Sequence, residues 1–399
     1  MQGIFSNKEK AKGELVAVFD VASGSVGGLL FRRKKDGLPE ILTTKRHSVN
    51  ISKKMSPERL VQVIQAGLKV VSKHIQSKYK EKISFALCVF SSPWYVAQTK
   101  ITKVSRDHEF EVDEELMEEL IQDEIQDFKK EWDQTSDSAA RDKQNIFLEH
   151  EFIKSVLNGY TVENPKDKTV KNLEAHVYLS MCPYFVKKKI KDCIIENSHT
   201  SSVRMQSFPF VLFKILNKLI NTKEAAIFVD ISGKITDVFV IRDHTIEEIA
   251  SFTKGENYFI KKISGGLNLS KEEARSRFLQ YQRKELDDSQ IGKMRDIVQE
   301  SADNWGDDLK ELLKEMGKDK YLPQNLYFCG NTTLLKEITE QTSGEDFIEL
   351  TMFRKPFNVR FLLPHSLKYH FDFIKGFSGS KDIFLLISAL YANHFIEHK

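Results

Sequence analysis

Residues 15–31 read LVAVFDVASGSVGGLLF, and residues 225–243 read AAIFVDISGKITDVFVIRD. Each stretch begins with an apolar, β-rich run that ends in an aspartate, Asp20 in the first and Asp230 in the second. Small or turn-forming residues follow, Ser23-Gly24-Ser25 and Ser232-Gly233-Lys234, and then an apolar run resumes. Apolar runs bounded by such residues read as strand, turn, strand. The two aspartates stand 210 positions apart, so the pattern predicts an internal structural duplication too diverged to show as a sequence repeat.

An aspartate that closes a strand before a tight turn is suited to Mg²⁺-phosphate binding. Small residues let backbone N–H groups approach phosphate oxygens, and the carboxylate holds the metal directly or through water. Two such hairpins facing each other would clamp a triphosphate from both sides. A third turn, Gly330-Asn331 after the strand Leu326 to Gly330, opens a helix over 332–342 and would add N–H groups near a nucleotide. Taken singly, either aspartate is an ordinary turn residue.

Helical patterns fill the rest of the chain. Residues 57–75 carry Leu60, Val63, Ile64, Leu68 and Val71 at helical spacing behind Ser56 and Pro57, a good N-cap and first-turn pair. Residues 113–132 form a strongly acidic amphipathic helix. Further helices are predicted over 183–195, 208–221, 270–283, 300–317 and 381–395, with loop over 134–145 and turns over 158–172. Strands and helices that mix throughout predict an α/β protein.

Composition narrows the function. Hydrophobic residues are 41% of 399, enough for a sizeable core. Lys and Arg total 60 against 57 Asp and Glu, so nothing in the bulk charge argues for a nucleic-acid partner. Four cysteines, Cys88, Cys182, Cys193 and Cys329, show no C-x-x-C spacing, which argues against a disulfide or zinc scaffold and for a reducing compartment. No secretory leader and no bilayer-length apolar run is evident, so the expected place is the cytoplasm. His394-x-x-Glu397-His398 has inverted zinc-peptidase spacing but lies at a fraying chain end with no third ligand, so a metal reading is set aside. Neither a phosphate-binding G-x-x-x-x-G-K-[ST] loop nor a G-x-S-x-G elbow occurs.

The order of the two aspartate hairpins and the LYFCGNTTLL turn (326–335) resembles the actin–hexokinase–Hsp70 superfamily. The stretch SVLNGYTVENPKDKTVKNLEAHVYLSMCP (155–183) is similar to the "DGxxxxNPxGxxGxxLxxxxH" segment of the bacterial cell-division protein FtsA, with Asn164, Pro165, Leu173 and His176 in corresponding places. GENYFIKKISGGLNLSKEEARSRF (255–278) resembles the connector of FtsA and of the pilus protein PilM. The resemblance runs from about Leu15 to Phe395 and is closest to FtsA.

It implies a two-lobed actin-like ATPase fold of duplicated ribonuclease-H-like domains with an FtsA-type inserted subdomain. The first lobe would be residues 13–83, 198–222 and 362–399, and the insert 84–197. The second lobe would be 223–252 and 322–361, with a helical part over 253–321. It implies ATP and Mg as cofactors. Asp20, Ser23, Gly24, Ser25, Asp230, Gly233, Lys234, Thr236, Gly330 and Asn331 would bind nucleotide, Asp20 and Asp230 the magnesium through water, and Asp237 is a catalytic candidate. The expected role is a scaffold of bacterial cell division that links an FtsZ-like filament to the membrane-associated machinery, with self-polymerisation possible in principle. The alternative is a PilM-like platform of type IV pilus assembly, and a more distant one a small-molecule kinase. Membrane contact would be peripheral, on the cytoplasmic face of the inner membrane, or made through a partner. A chain ending at Lys399 lacks the amphipathic tail typical of FtsA, which favours the pilus alternative.

The motifs also depart from the family. Ala22 stands for the first glycine of the first hairpin, Ser232 and Lys234 for glycines of the second, and Ile235 for its threonine. Arg275 and Phe278 stand where the family has an acid and a lysine near the adenosine. With the aspartates kept and the glycines eroded, binding without fast turnover is expected.

Overall fold

A computed structural model describes residues 13–35, 37–49, 55–135, 144–219, 225–330, 335–352, 354–372 and 382–397. The first hairpin is β1 (Glu14–Val21) and β2 (Ser25–Arg33), followed by β3 (Glu40–Ser48), α1 (Pro57–Lys78) and β4 (Ile83–Phe90). Then come β5 (Val96–Val112), α2 (Glu114–Thr135), β6 (Asn145–Leu157), β7 (Tyr160–Val162) and β8 (Lys168–Pro183). The chain returns through α3 (Tyr184–Ser198), β9 (Val203–Ser207) and α4 (Phe208–Leu219).

The second hairpin is β10 (Ala226–Ile231) and β11 (Thr236–Arg242), with β12 (Thr245–Phe252) beside it. Three helices follow, α5 (Glu256–Leu267), α6 (Lys271–Gln282) and α7 (Asp288–Met316). The rest is β13 (Asn325–Gly330), α8 (Leu335–Gln341), α9 (Glu345–Ile348), β14 (Asn358–Phe361) and α10 (Asp382–Phe395).

The duplication is explicit in the topology. One sheet has the order β3-β2-β1-β4-β9 and the other β12-β11-β10-β13-β14. In both, the first three strands in sequence are antiparallel and the last two parallel to the first. Strands buried on both faces read as continuous apolar runs rather than alternating ones, as β1 and β10 do. Helices α4 and α10 lie between the two sheets. Their Phe210, Phe213, Leu385 and Leu390 share one core with Val16 and Leu87 of the first sheet and Phe228 and Phe239 of the second. Helices α1 and α3 cover the outer face of the first sheet, and α5 and α7 that of the second. This is the two-lobed actin-like architecture. Arg33 of β2, 2% exposed, donates Nη1 to the carbonyls of Ala392 and Ile396 at the end of α10 and pairs with Glu14, so that terminus is capped from inside the core.

Strands β5-β8-β6-β7 form a separate antiparallel sheet with α2 laid across it. This sheet spans Val96–Pro183, a shorter stretch than 84–197. The apolar run of β4 completes the parallel ladder with β1, and Val186, Ile190 and Ile194 of α3 are buried in the core under α1. Residues 158–172 are not turns alone: β7 lies within them and β8 begins at Lys168. Likewise α7 starts at Asp288, ahead of residue 300, and α2 runs on through Thr135. Buried Glu149 of β6 ties this sheet to the first. It accepts from the Ser207 N–H at 2.6 Å, at the start of α4, and from the Ser207 hydroxyl at 2.9 Å. Burial pushes its carboxyl up to about 7.

All four cysteines are buried free thiols. No helix among the described residues is long and apolar enough to cross a membrane.

Candidate functional site at the facing hairpins

The β1–β2 turn and the β10–β11 turn meet across the lobe boundary. A Cβ on Gly24 would lie 2.7 Å from the Gly233 Cα, and one on Gly233 only 2.4 Å from the Gly24 Cα. The two backbones are therefore in direct contact, which only residues without a side chain allow. Ser23 Oγ accepts the Lys234 N–H at 2.9 Å, a hydrogen bond between lobes. A second one runs from the Ser92 hydroxyl, beyond β4, to Asp237 Oδ1 at 2.7 Å.

Each sequence-predicted residue has a definite place here. Asp20, 2% exposed, pairs with Gly27 of β2, and Gly27 pairs in turn with Arg46 of β3, so the three share one rung of the sheet. Because Gly27 has no side chain, Arg46 reaches over it. Its Nη1 donates to Asp20 Oδ2 at 2.7 Å and to Ser25 Oγ at 2.9 Å, and its Nε lies 3.9 Å from Asp382 at the start of α10. A Cβ at Gly27 would come within 2.8 Å of Arg46 Nη2.

Asp230 is fully buried, and both its oxygens accept from the Ser232 hydroxyl at 3.1 and 3.2 Å. Thr236 donates to the Lys254 carbonyl at 2.8 Å and accepts from Trp305 Nε1 at 3.1 Å. Gly330 ends β13 beside Ile231 with φ +109°, a conformation that favours glycine. Asn331 lies outside the described residues, as does His398.

Asp237 is 2% exposed; burial pushes its carboxyl up to about 7, against the lowering effect of the Ser92 hydroxyl and N–H. Its Oδ2 has no hydrogen-bond partner among the described residues. The amides that open α5 are satisfied locally. Gly255, Glu256 and Asn257 N–H donate to the carbonyls of Lys234, Ser232 and Gly233. That helix start is committed to the second turn and does not point at an open anion site.

The arrangement does not suit a magnesium ion at Asp20. The carboxylate charge is already matched by Arg46, and a dication placed there would face the guanidinium. Among the described residues no cluster of three His, Cys, Asp or Glu could hold a metal. The turns also touch, which leaves no room for a ligand between Gly24 and Gly233.

A cavity of about 1550 Å³ opens beside the second turn, lined by Lys234, Ile235, Asn257 and Tyr258, by more of α5 and α6, and across the boundary by Ser48 and Met55. Among the described residues, Lys234 is the one member of the expected nucleotide set on this lining. Arg275 of α6 lines it too, bonded to Glu256 and Asn257. Sequence reasoning missed Arg46 and the cavity lysines 254, 261, 262 and 271. Arg46 sits in TTKRHS, an unremarked polar strand; Lys261, Lys262 and Lys271 lie in the connector read only by resemblance, and Lys254 stands just ahead of it.

No protein-family profile and no characterised sequence matches the chain. Solved structures do. One chain of the PilM–PilN type IV pilus biogenesis complex superposes with a TM-score of 0.64 at 12% identity, covering 95% of this chain and 98% of that one. The ethanolamine utilization protein EutJ from Carboxydothermus hydrogenoformans gives a TM-score of 0.48 at 11% identity over 94% of this chain and 89% of that one. At these identities the likeness to the pilus-complex chain establishes the fold.

Proposed function

We propose that the chain is an actin-fold scaffold of a pilus-assembly machine, a PilM-like platform that works by protein contacts at the cytoplasmic face of the inner membrane. The observation that supports this most is superposition over nearly the whole of both chains on a component of the PilM–PilN complex. The β5-β8-β6-β7 sheet, fastened to the first lobe through Glu149 and Ser207, is the natural place for a partner. Nucleotide turnover has less support. The catalytic candidate Asp237 is buried and engaged by Ser92, and Asp20 is engaged by Arg46. The cleft therefore acts as a ligand-holding joint and not as a fast ATPase.

The division reading, an FtsA-like link from an FtsZ-like filament to the membrane with or without self-polymerisation, draws on Asn164 and Pro165. Asn164 Oδ1 accepts from the Lys166 N–H at 3.0 Å, an Asx turn that joins β7 to β8. Turn geometry alone accounts for that motif, so the pilus reading is preferred. The test is deletion of the gene in the organism that encodes it, scored for surface pili and for cell length, with a two-hybrid assay against a PilN-type partner. Lost pili with normal division is the expected result. Filamentous cells with normal piliation would reverse the choice.

A further inference from the structure

We propose that the outer face of the first lobe, formed by α1 and α3, is a docking surface for an anionic phospholipid membrane. The two helices run abreast over the first sheet: Gln65 Nε2 donates to the Lys189 carbonyl at 3.1 Å, and Ser198 Oγ donates to Ser72 Oγ at 3.2 Å. Residues 57–82 and 184–198, which hold α1 with the turn after it and α3, carry ten Lys and Arg against four Asp and Glu. That is twice the net charge of +3 borne by the whole chain, so the remainder is net negative and the positive charge is gathered on this lobe.

Lys69 and Lys73 stand one turn apart on the exposed stripe of α1, and Lys188, Lys189 and Lys191 are exposed on α3. Among the described residues none of these five has a carboxylate within ion-pair distance, whereas Lys100, Lys214 and Lys254 elsewhere do. The run Lys187-Lys188-Lys189 begins near the positive end of the α3 dipole, where cations add nothing to helix stability, and only Lys187 is tied down, to the Phe147 carbonyl at 2.9 Å. Attraction to a negative surface accounts for these lysines where helix stability does not. Among them the face exposes Val70 and Tyr184, at 43% and 42%. An amphipathic ring and aliphatic lysine stems suit the headgroup layer, with the ammonium groups reaching lipid phosphates. Arginine, whose fork grips a single phosphate, contributes only Arg59, so a lipid surface fits the face better than a nucleic acid. A cluster of this size attaches peripherally, each lysine strengthening the attachment by about fivefold and salt screening it.

This deepens the platform reading, which supplies the membrane, but vesicle binding needs neither pili nor a PilN-type partner, so either can fail alone. Cosedimentation of the full chain uses vesicles of equal parts phosphatidylglycerol and phosphatidylcholine, and vesicles of phosphatidylcholine alone. Binding is expected to the first and not to the second, and it should fall at least tenfold from low to molar salt. Lys188→Glu with Lys191→Glu weakens binding at least tenfold at an unchanged melting temperature. Lys293→Glu with Lys336→Glu, the same change of net charge on exposed positions of the second lobe, alters it less than threefold. Lys69→Gln with Lys73→Gln, on the other helix, weakens it at least fivefold and decides the matter should the α3 pair fail to fold. Equal binding to the two vesicle types, no binding to either, or an equal loss in the second-lobe variant overturns the proposal. So does tighter binding of duplex DNA than of vesicles, or low-salt self-association that the α3 pair abolishes, since the face would then belong to a nucleic acid or to a second copy.

Discussion

Replacing Gly233 by alanine places a methyl carbon 2.4 Å from the Gly24 Cα and 2.6 Å from its nitrogen. Ordinary contacts of a Cβ begin near 3.4 Å, so the two turns must part by about 1 Å. Neither glycine has a positive φ, so the alanine backbone itself is unstrained and the contact alone is read. Parting by that much takes the Ser23–Lys234 hydrogen bond from 2.9 Å to about 3.9 Å, beyond hydrogen-bonding range. It also pulls on Ser92–Asp237.

Two neutral hydrogen bonds contribute about 1 kcal/mol each, and overpacking against backbone adds about 1–3 kcal/mol. The expected loss is about 3–5 kcal/mol. At roughly 2–4 °C per kcal/mol for units of this size, the melting temperature falls by about 6–20 °C. Small-angle scattering should show a larger radius of gyration. Gly265→Ala serves as the control. It lies in α5 with nothing within 4 Å of its would-be Cβ, and alanine there should stabilise by about 0.5–1 kcal/mol. A Gly233→Ala protein that melts within a degree of wild type, with the same radius of gyration, would refute the claim that these turns hold the lobes together.

Two further outcomes follow from the same residues. Asp237 in the native state holds its proton up to about pH 7, whereas an unfolded aspartate loses it near 4. The folded state binds the extra proton in between, so its stabilising effect is full below about pH 4 and is lost as pH rises through about 7. At about 1.4 kcal/mol per tenfold in proton affinity, the ionised form costs up to about 4 kcal/mol at pH 8. Asp237→Asn should therefore flatten the fall in denaturant midpoint between pH 5 and 8. Glu149, which titrates in the same window, keeps part of the slope. A variant whose slope matches wild type would show that Asp237 is ionised throughout. Gly27→Ala pushes a methyl group against Arg46, 2.8 Å away, and strands the Asp20 carboxylate in the core. Breaking one side of a buried pair costs about 3–5 kcal/mol. Gly27→Ala combined with Asp20→Asn should recover much of that in chemical denaturation, and an additive double variant would deny the coupling.

The duplication was legible because β1 and β10 are buried on both faces and so read as unbroken apolar runs ending in aspartate. Their antiparallel return strands were legible for the same reason, whereas the common strand order was not, because it depends on pairing between strands far apart in sequence. The apolar helix at the C-terminus was legible as well: residues Ile383 to Ala392 are buried all round in α10, and an all-round apolar helix has to be covered on every side. What covers it was not legible. That it is shared between both sheets depends on which surfaces the chain brings together.

By itself, then, the sequence determined the α/β class, the two hairpins and the positions of Asp20, Asp230 and Gly330, because these depend on hydrophobic period and on local turn chemistry. The tertiary structure alone decided what those aspartates do. Strand register puts Arg46 on the rung of Asp20, with a side-chain-free Gly27 between them, and a shift by one residue would turn it to the other face. Lobe packing sets Gly24 against Gly233 and Ser92 on Asp237. It also gathers lysines from α5, α6 and the second turn around one cavity. Register and packing arise from contacts between residues far apart in sequence, and no local pattern encodes them.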